Sequence, residues 1–218
     1  MNRRTALVVG ATGLIGRALL DQLLKDDHYR TIITLTRREL GFTHERLVQL
    51  IVELDEMEEM RQLIEGTDVF CCLGTTMKQA GSKEAFRKVD YQHVMDVAKL
   101  ALENGSENFF LVSSIGAKAH SKNFYLRTKG EIEEALKELS YKSLHIFRPA
   151  SLFGDREERR GKEEASVKLL TSFQFALKGR LKKFRPISGE QVAKGMRVIA
   201  HQGQNGTHTY ESDQIAEL

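Results

Sequence analysis

The chain has few cysteines and prolines and no tryptophan: its 218 residues include two cysteines and two prolines. Cys71 and Cys72 are adjacent, which disfavours a disulfide between them, and the chain offers no other cysteine. We therefore expect both thiols to be reduced and the protein to be cytoplasmic. No apolar run approaches the roughly 18 to 20 residues that span a bilayer, so no membrane partner is expected.

An excess of charge of one sign is also missing. The 33 basic and 30 acidic residues leave a formal net charge of +3, so no nucleic-acid partner is predicted. The basic stretch at 178–185 is interpreted as solvated surface, and contact with nucleic acid or an acidic partner is the alternative. The seven histidines share no spacing such as His-x-x-x-His, so no metal site is predicted.

Short aliphatic runs alternate with amphipathic segments through most of the chain. Each run predicts a buried parallel strand, and the apolar residues between runs recur at helical spacing. Strands alternating with helices indicate an α/β protein, a doubly wound parallel sheet with helices on both faces. No linker or repeat interrupts residues 1–218, which are predicted to form a single domain. The predicted strands are 5–9, 31–36, 47–53, 68–73, 108–113 and 143–147, and the clearest helices are 83–103 and 125–139.

The composition changes after about residue 152. We predict a charged loop at 155–164, a helix, the basic stretch, a helix starting near Ser188 and a short strand at 207–211. Residues 152–218 are interpreted as a small substrate-facing subdomain within the single domain. Its modest size predicts a small or partly exposed substrate.

A glycine-rich loop joins the first predicted strand to the first helix, and reads Gly10-Ala11-Thr12-Gly13-Leu14-Ile15-Gly16. The first glycine permits a tight turn, the second lets the backbone approach a pyrophosphate, and the third lets helix pack on strand. The helix N-terminus then offers N–H groups to phosphate oxygens. This loop predicts a Rossmann-type site for a dinucleotide, and a glycine-rich turn without a ligand is the alternative.

The end of the second strand bears on which dinucleotide is bound. NAD-specific folds usually carry Asp or Glu there to accept hydrogen bonds from the ribose 2′-hydroxyl. Here the strand ends at Thr36, followed by Arg37 and Arg38. Two guanidinium groups suit a 2′-phosphate, so NADP(H) is predicted over NAD(H), with Arg37 the stronger candidate. Arg17 is a further candidate for this charge.

Three polar residues form the candidate catalytic site. Ser114 ends the fifth strand, and Tyr125 and Lys129 are four residues apart in the next helix, on one face. A phenol has an ordinary pKa of about 10, and a neighbouring ammonium favours its ionised form. Tyr125 is therefore predicted to exchange a proton with a substrate oxygen, Lys129 to support it and bind the nicotinamide ribose, and Ser114 to hold that oxygen.

With these motifs the chain resembles the atypical short-chain dehydrogenase/reductases. The resemblance implies NADPH binding, a Ser/Tyr/Lys site, a cytosolic protein and a monomer or homodimer. It also implies that Leu73, Gly74 and Thr75 border the cofactor, and that Pro149 and Ala150 contact its carboxamide. The stretches that carry it are 10–16, Thr36-Arg37-Arg38, Cys71-Cys72-Leu73-Gly74-Thr75-Thr76 with Ala80-Gly81, Val112-Ser113-Ser114, 125–130, and Phe147-Arg148-Pro149 continuing to Asp155-Arg156.

The chain departs from the family pattern at two places. Asp90 stands where many members have asparagine, and the interval between Ser114 and Tyr125 is short. The leading hypothesis is an NADPH-dependent reductase of a small carbonyl compound. A cofactor-sensing regulatory protein with little or no turnover is the main alternative, and Asp90 favours it. An epimerase or dehydratase that holds its cofactor tightly is a third possibility, which the small C-terminal part disfavours.

Overall fold

Seven parallel strands form the central sheet of the protein, whose computed structural model describes residues 4–64, 66–153 and 177–218. Their order across the sheet is β3-β2-β1-β4-β5-β6-β9, so the strand order reverses between β1 and β4. The strands are β1 (Arg4–Val9), β2 (Tyr29–Thr36), β3 (Leu47–Ile51), β4 (Asp68–Cys71), β5 (Asn108–Val112), β6 (Ser143–Arg148) and β9 (Gly206–Glu211).

Helices cover both faces of this sheet. Two 3-10 helices, Leu54–Leu63 and Gly179–Phe184, lie in the connections. The α-helices are α1 (Leu14–Leu23), α2 (Met77–Ala80), α3 (Lys83–Arg87), α4 (His93–Glu103), α5 (Phe124–Lys137), α6 (Gly189–Gln202) and α7 (Ser212–Glu217). The predicted α/β class and doubly wound parallel sheet are confirmed.

The hydrophobic core has two layers because alternate residues of each strand point to opposite faces. Leu7 and Val9 of β1 pack with α4 and α5, whereas Ala6 and Val8 pack with α1 and α6. All four side chains are fully buried. Burial on both faces explains why these strands appear as continuous aliphatic runs in the sequence.

The helix predicted at 83–103 is interrupted. A π-helical turn, Lys88–Gln92, separates α3 from α4. Such a turn carries one more residue than an α-helical turn, and it rotates the side chains that follow. Asp90 lies inside the π turn and is fully buried. Apolar spacing did not predict the interruption, because the flanking segments keep helical periodicity.

The C-terminal residues contribute to both the main sheet and a small second one. Two short strands, β7 (Leu152–Phe153) and β8 (Ile187–Ser188), pair in parallel, and β9 joins the main sheet beside β6. Ser188 caps α6, as the sequence predicted a helix to start there. The predicted charged loop at 155–164 and the helix after it lie outside the described residues. The substrate-facing role of 152–218 stays a prediction.

Candidate active site at the carboxyl edge of the sheet

Apart from Tyr125 and Lys129, which lie on α5, the predicted site residues follow the carboxyl ends of strands. The loop at 10–16 follows β1, the arginines follow β2, and residues 73–75 follow β4. Ser114 follows β5, and residues 149–150 follow β6. Because all these strands are parallel, the segments lie along one edge of the sheet. The strand order reverses between β1 and β4, and in folds of this kind ligands usually bind in a crevice at that point of the carboxyl edge.

The glycine loop has the close backbone contacts that its sequence predicted. Gly10 has φ +87°, and a Cβ there would lie 2.7 Å from the carbonyl carbon of Cys72. A Cβ on Gly16 would lie 2.1 Å from the oxygen of Gly10, so both positions require glycine. The Gly13 N–H donates to the Gly10 oxygen at 3.0 Å.

The start of α1 is suited to an anion. Gly13 is the N-cap and supplies no side-chain cap, and the first turn holds no acidic residue. Thr12 and Gly13 are exposed, Leu14 is half-buried and Ile15 is buried. The first N–H groups of a helix lack intrahelical partners, so they are oriented to meet phosphate oxygens.

Arg37 and Arg38 stand directly after β2, and both side chains are exposed. The strand residues before them, Thr34 and Thr36, are buried. The sheet therefore fixes the backbone at the end of β2, while the two guanidinium groups extend into solvent. Their contact with a 2′-phosphate stays a prediction.

The loop after β4 runs beside the glycine loop. The Cys72 N–H donates to the Val9 oxygen at 2.8 Å, which continues the pairing of β4 with β1 past the end of the strand. Leu73 and Thr75 are half-buried and Gly74 is exposed. A Cβ on Gly74 would lie 3.5 Å from Asp90 Oδ1 and 3.7 Å from Lys129 Nζ, so this loop and Lys129 are immediate neighbours.

Lys129 forms a buried ion pair with Asp90. The Nζ–Oδ1 distance is 2.7 Å, and the side chains are 5% and 0% exposed. Burial opposes the charge of Lys129, but the carboxylate of Asp90 and the oxygen of Tyr125 leave its pKa raised overall. The other oxygen of Asp90 accepts the Thr75 N–H at 2.8 Å. Asp90 therefore joins Lys129 to the loop after β4.

Tyr125 lies in the first turn of α5, one turn before Lys129. Asn123 caps this helix by accepting the Leu126 N–H at 3.1 Å. The Tyr125 side chain is half-buried, and its ring centroid lies 5.6 Å from that of Phe86. The structure thus places Tyr125 on α5 one turn from Lys129, which lies beside Gly74.

Gly130 accommodates the short interval between Ser114 and Tyr125. A Cβ on Gly130 would lie 2.2 Å from the Ala119 nitrogen, so the loop before α5 packs directly on the helix backbone. The Lys118 N–H also donates to the Leu126 oxygen at 3.0 Å. The short loop is therefore held closely against α5.

The two adjacent serines have different surroundings. Ser113 is buried, and its Oγ donates to Glu133 Oε1. Ser114 is half-buried, and its Oγ lies 3.4 Å from the Ile115 oxygen, the limit of a weak hydrogen bond. The Ser113 hydroxyl is thus buried and hydrogen-bonded within the protein, and Ser114 is the serine available to a substrate. Its catalytic role stays a prediction.

Glu133 connects three elements under the site, and sequence reasoning missed it. The Arg148 Nε–H donates to Glu133 Oε1 at 3.0 Å, and its Nη2 donates to Oε2. The Glu133 side chain is 1% exposed and that of Arg148 is 23% exposed. Glu133 is four residues beyond Lys129, so helical spacing places the two on the same face of α5. The sequence did not show its partners, because they lie in β6 and after β5.

The turn after β6 is held by its neighbours. The Pro149 oxygen accepts the Ile115 N–H at 3.0 Å, and the Ala150 N–H donates to Ser212 Oγ at 2.7 Å. The Ala150 N–H therefore already has a hydrogen-bond acceptor in α7. A contact of Pro149 and Ala150 with a carboxamide stays a prediction.

The two adjacent cysteines lie in surroundings that disfavour a chemical role. Burial raises the pKa of the Cys71 thiol to about 11 and also raises that of Cys72, which disfavours thiolate chemistry.

Within residues 4–64, 66–153 and 177–218, no group of three or more His, Cys, Asp or Glu side chains is arranged to hold a metal ion. In the same ranges no helix has the length and apolar character to cross a membrane.

A parallel sheet with a glycine loop at its switch point defines a Rossmann-type dinucleotide-binding protein. Residues 10–169 match the family described as NAD(P)H-binding. The chain belongs to this family and is an atypical short-chain dehydrogenase/reductase, as the sequence motifs predicted. It binds a nicotinamide nucleotide.

Two curated relatives show the similarity in sequence. Protein HTATIP2 of Rattus norvegicus is 36% identical over 176 residues, covering 79% of this chain and 72% of the rat protein. Protein FMP52, mitochondrial, of Debaryomyces hansenii is 36% identical over 196 residues, covering 87% of this chain and 84% of the yeast protein.

Two solved structures show the similarity in fold. The UDP-N-acetylglucosamine 4-epimerase from Methanobrevibacter ruminantium, in complex with UDP-N-acetylmuramic acid, superposes with a TM-score of 0.72 at 16% identity, covering 97% of this chain and 77% of the epimerase. The Bordetella bronchiseptica enzyme WbmG, in complex with NAD, gives a TM-score of 0.70 at 14% identity, covering 99% and 76%.

The expectation of a cytoplasmic protein is wrong. The relatives from Debaryomyces hansenii, Candida albicans and Candida glabrata are named mitochondrial. The expectation depended on two reduced cysteines, which disfavour an oxidising compartment. Reduced thiols are compatible with any reducing compartment, so they did not single out the cytoplasm.

Proposed function

We propose that this protein is an NADPH-dependent reductase of a small carbonyl compound, with Tyr125 as the proton donor. The observation that carries the proposal is the position of Lys129, one turn after Tyr125 on α5, beside Gly74 in the loop that adjoins the glycine loop. A proton donor, a buried ammonium and a dinucleotide cradle are the groups that carbonyl reduction requires.

The residues present fit a dinucleotide. Gly10 and Gly16 have no room for a side chain, while a Cβ on Gly13 would meet only the Gly10 oxygen, at 3.4 Å. The backbone is therefore packed on its inner side and open toward the crevice. Arg37 and Arg38 supply charge for a 2′-phosphate, which supports NADP(H) over NAD(H).

The cofactor preference is tested by exchanging the charge of Arg37. Arg37→Asp should weaken NADPH binding much more than NADH binding, because only NADPH carries the extra phosphate. The matched control is Arg30→Asp, an exposed arginine at the opposite end of the same strand. Equal losses of NADPH and NADH affinity in Arg37→Asp would refute the preference.

Each residue of the proposed site has a defined role. When bound, NADPH supplies the hydride, a proton with two electrons, that a carbonyl carbon accepts, and NADP⁺ is left. Tyr125 donates its phenolic proton to the carbonyl oxygen, so that the C=O group becomes an alcohol, and then regains a proton from water. Lys129 binds the ribose beside Gly74 and holds its charge close to the phenol. Ser114 donates a hydrogen bond to the substrate oxygen.

The reductase proposal is tested by NADPH oxidation against a panel of aldehydes, ketones and quinones. Turnover that is lost in Tyr125→Phe, with NADPH affinity unchanged, is the expected result. The matched control is Tyr91→Phe, a half-buried tyrosine of the π turn. Tight NADPH binding without turnover of any compound would overturn the proposal and favour the cofactor-sensing alternative.

A further inference from the structure

Basic residues gather at the part of the carboxyl edge that follows β4 and β5. The connections 75–83 and 115–124 hold exposed lysines and no acidic residue, although the whole chain has 33 basic and 30 acidic residues. The proposed dinucleotide does not account for these cations, because its phosphates are expected at the glycine loop after β1 and at the arginines after β2. The lysines are Lys78, Lys83, Lys118 and Lys122.

Two cations converge on the ring of Phe124, the residue directly before Tyr125. The Lys83 Nζ and the Arg127 Cζ each lie 5.6 Å from the centroid of this ring. The face of an aromatic ring attracts each cation, but two like charges beside one ring repel each other. An anion bound next to both cations would offset this repulsion.

The neighbouring carboxylates already have other partners. Glu131 accepts a hydrogen bond from Arg87, and its second oxygen lies 4.0 Å from the Arg127 Nε, at the outer limit of an ion pair. Glu84, which follows Lys83, is hydrogen-bonded at the start of α3. Lys83 and Arg127 therefore keep positive charge that a bound anion can use.

The same aromatic cluster joins these cations to Tyr125. The ring of Phe86 is fully buried, and its centroid lies 5.7 Å from that of Phe124 and 5.6 Å from that of Tyr125. The guanidinium of Arg127 is held in place, because its Nη1 donates to the Ser121 oxygen at 3.0 Å. The cation pair and the proposed proton donor are thus parts of one packed cluster, within reach of one small molecule.

We propose that Lys83 and Arg127 bind an anionic group of the substrate. The carbonyl compound reduced at Tyr125 is then an oxo acid or a phosphorylated aldehyde or ketone. A carboxylate or a phosphate suits this site, since either accepts charge-assisted hydrogen bonds from an ammonium and a guanidinium. This inference rests on the proposed function and names the substrate class of the same site.

The test compares carbonyl compounds that differ only in charge. Aldehyde acids of increasing chain length, and para-carboxybenzaldehyde, are each paired with their methyl esters, and NADPH oxidation gives kcat/KM for both members of a pair. The wild-type protein should reduce at least one acid about tenfold more efficiently than its ester, or better. The same aldehydes with a phosphate in place of the carboxylate show which of the two anions is preferred.

The double variant Lys83→Met with Arg127→Met should bring the ratio of acid to ester close to one, because both docking cations are removed. The matched control is Arg30→Met with Lys99→Met, which removes the same charge from exposed positions of β2 and α4 and should keep the ratio. Equal reduction of acids and esters by the wild type would overturn the inference. An unchanged ratio in the double variant, or an equal fall in the control, would overturn it too.

A binding measurement separates failure of this inference from failure of the proposed function. The alcohols that correspond to the acids, para-(hydroxymethyl)benzoate among them, are titrated into the protein, and the shifts of its amide NMR signals report binding. If no aldehyde is reduced but an alcohol acid binds the wild type and not the double variant, the reductase proposal fails and the anion site stands. If esters are reduced and the acids bind no better than the esters, the reductase stands and the anion site is refuted.

Discussion

Replacing Glu133 by glutamine tests the network under the active site. Glu133 is 1% exposed and accepts hydrogen bonds from Arg148 at both oxygens and from Ser113. Glu133→Gln keeps the shape of the side chain, removes its charge and turns an N–H group toward the guanidinium. Breaking a buried pair by removing one partner costs about 3–5 kcal/mol. Arg148 is 23% exposed and keeps some water, so we expect about 3 kcal/mol.

The assay is urea unfolding, with the free energy of unfolding taken by linear extrapolation. The control is Glu134→Gln, whose side chain is 61% exposed and pairs with Lys137, and which should cost about 0–1 kcal/mol. Glu133→Leu combined with Arg148→Met should recover most of the loss, because apolar side chains can replace a buried pair. If Glu133→Gln lowered the free energy of unfolding by less than about 1 kcal/mol, the buried pair of Glu133 and Arg148 would not stabilise the fold as expected.

Three further predictions concern packing and pH. Gly16→Ala should destabilise the fold, because the new Cβ would lie 2.1 Å from the Gly10 oxygen, and thermal unfolding checks this. Gly13→Ala should fold normally, because its Cβ meets only the Gly10 oxygen at 3.4 Å, but should lose NADPH affinity in a binding titration. Burial lowers the pKa of His145 to about 4, so its neutral form is favoured in the folded state. The unfolded chain then binds the extra proton, and the free energy of unfolding should decrease as the pH falls from about 6.5 to about 4. His145→Phe should flatten this decrease, whereas His120→Gln, at an exposed position, should leave it unchanged in urea unfolding at each pH.

The inner strands β1, β2, β4, β5 and β6 were predictable because they are buried on both faces. The prediction of 108–113 differs from the observed Asn108–Val112 by one residue, and 143–147 differs from Ser143–Arg148 by one. The glycine loop was equally predictable, since its three glycines recur at fixed spacing within one strand-loop-helix unit, although the backbone contact that requires Gly10 is with Cys72 after β4. Continuous apolar runs and regularly spaced glycines are local sequence patterns, so both features can be read from short segments of the chain.

The charge relations of the site were not predictable in the same way. Asp90 was identified as a departure from the family pattern, but its partner Lys129 lies in another helix. The network of Ser113, Glu133 and Arg148 joins β5, α5 and β6, and each of its residues is ordinary in its own segment. Only the packing of α5 on the sheet brings these groups together.

A calorimetric titration of the wild-type protein with NADPH and with NADH measures its cofactor preference. We predict one NADPH site per chain, bound at least about tenfold more tightly than NADH, a difference of about 1.4 kcal/mol. We expect the exposed arginines after β2 to cause this preference, because they can bind the 2′-phosphate. If neither nucleotide bound, or if NADH bound more tightly than NADPH, the protein would not be an NADPH-dependent reductase.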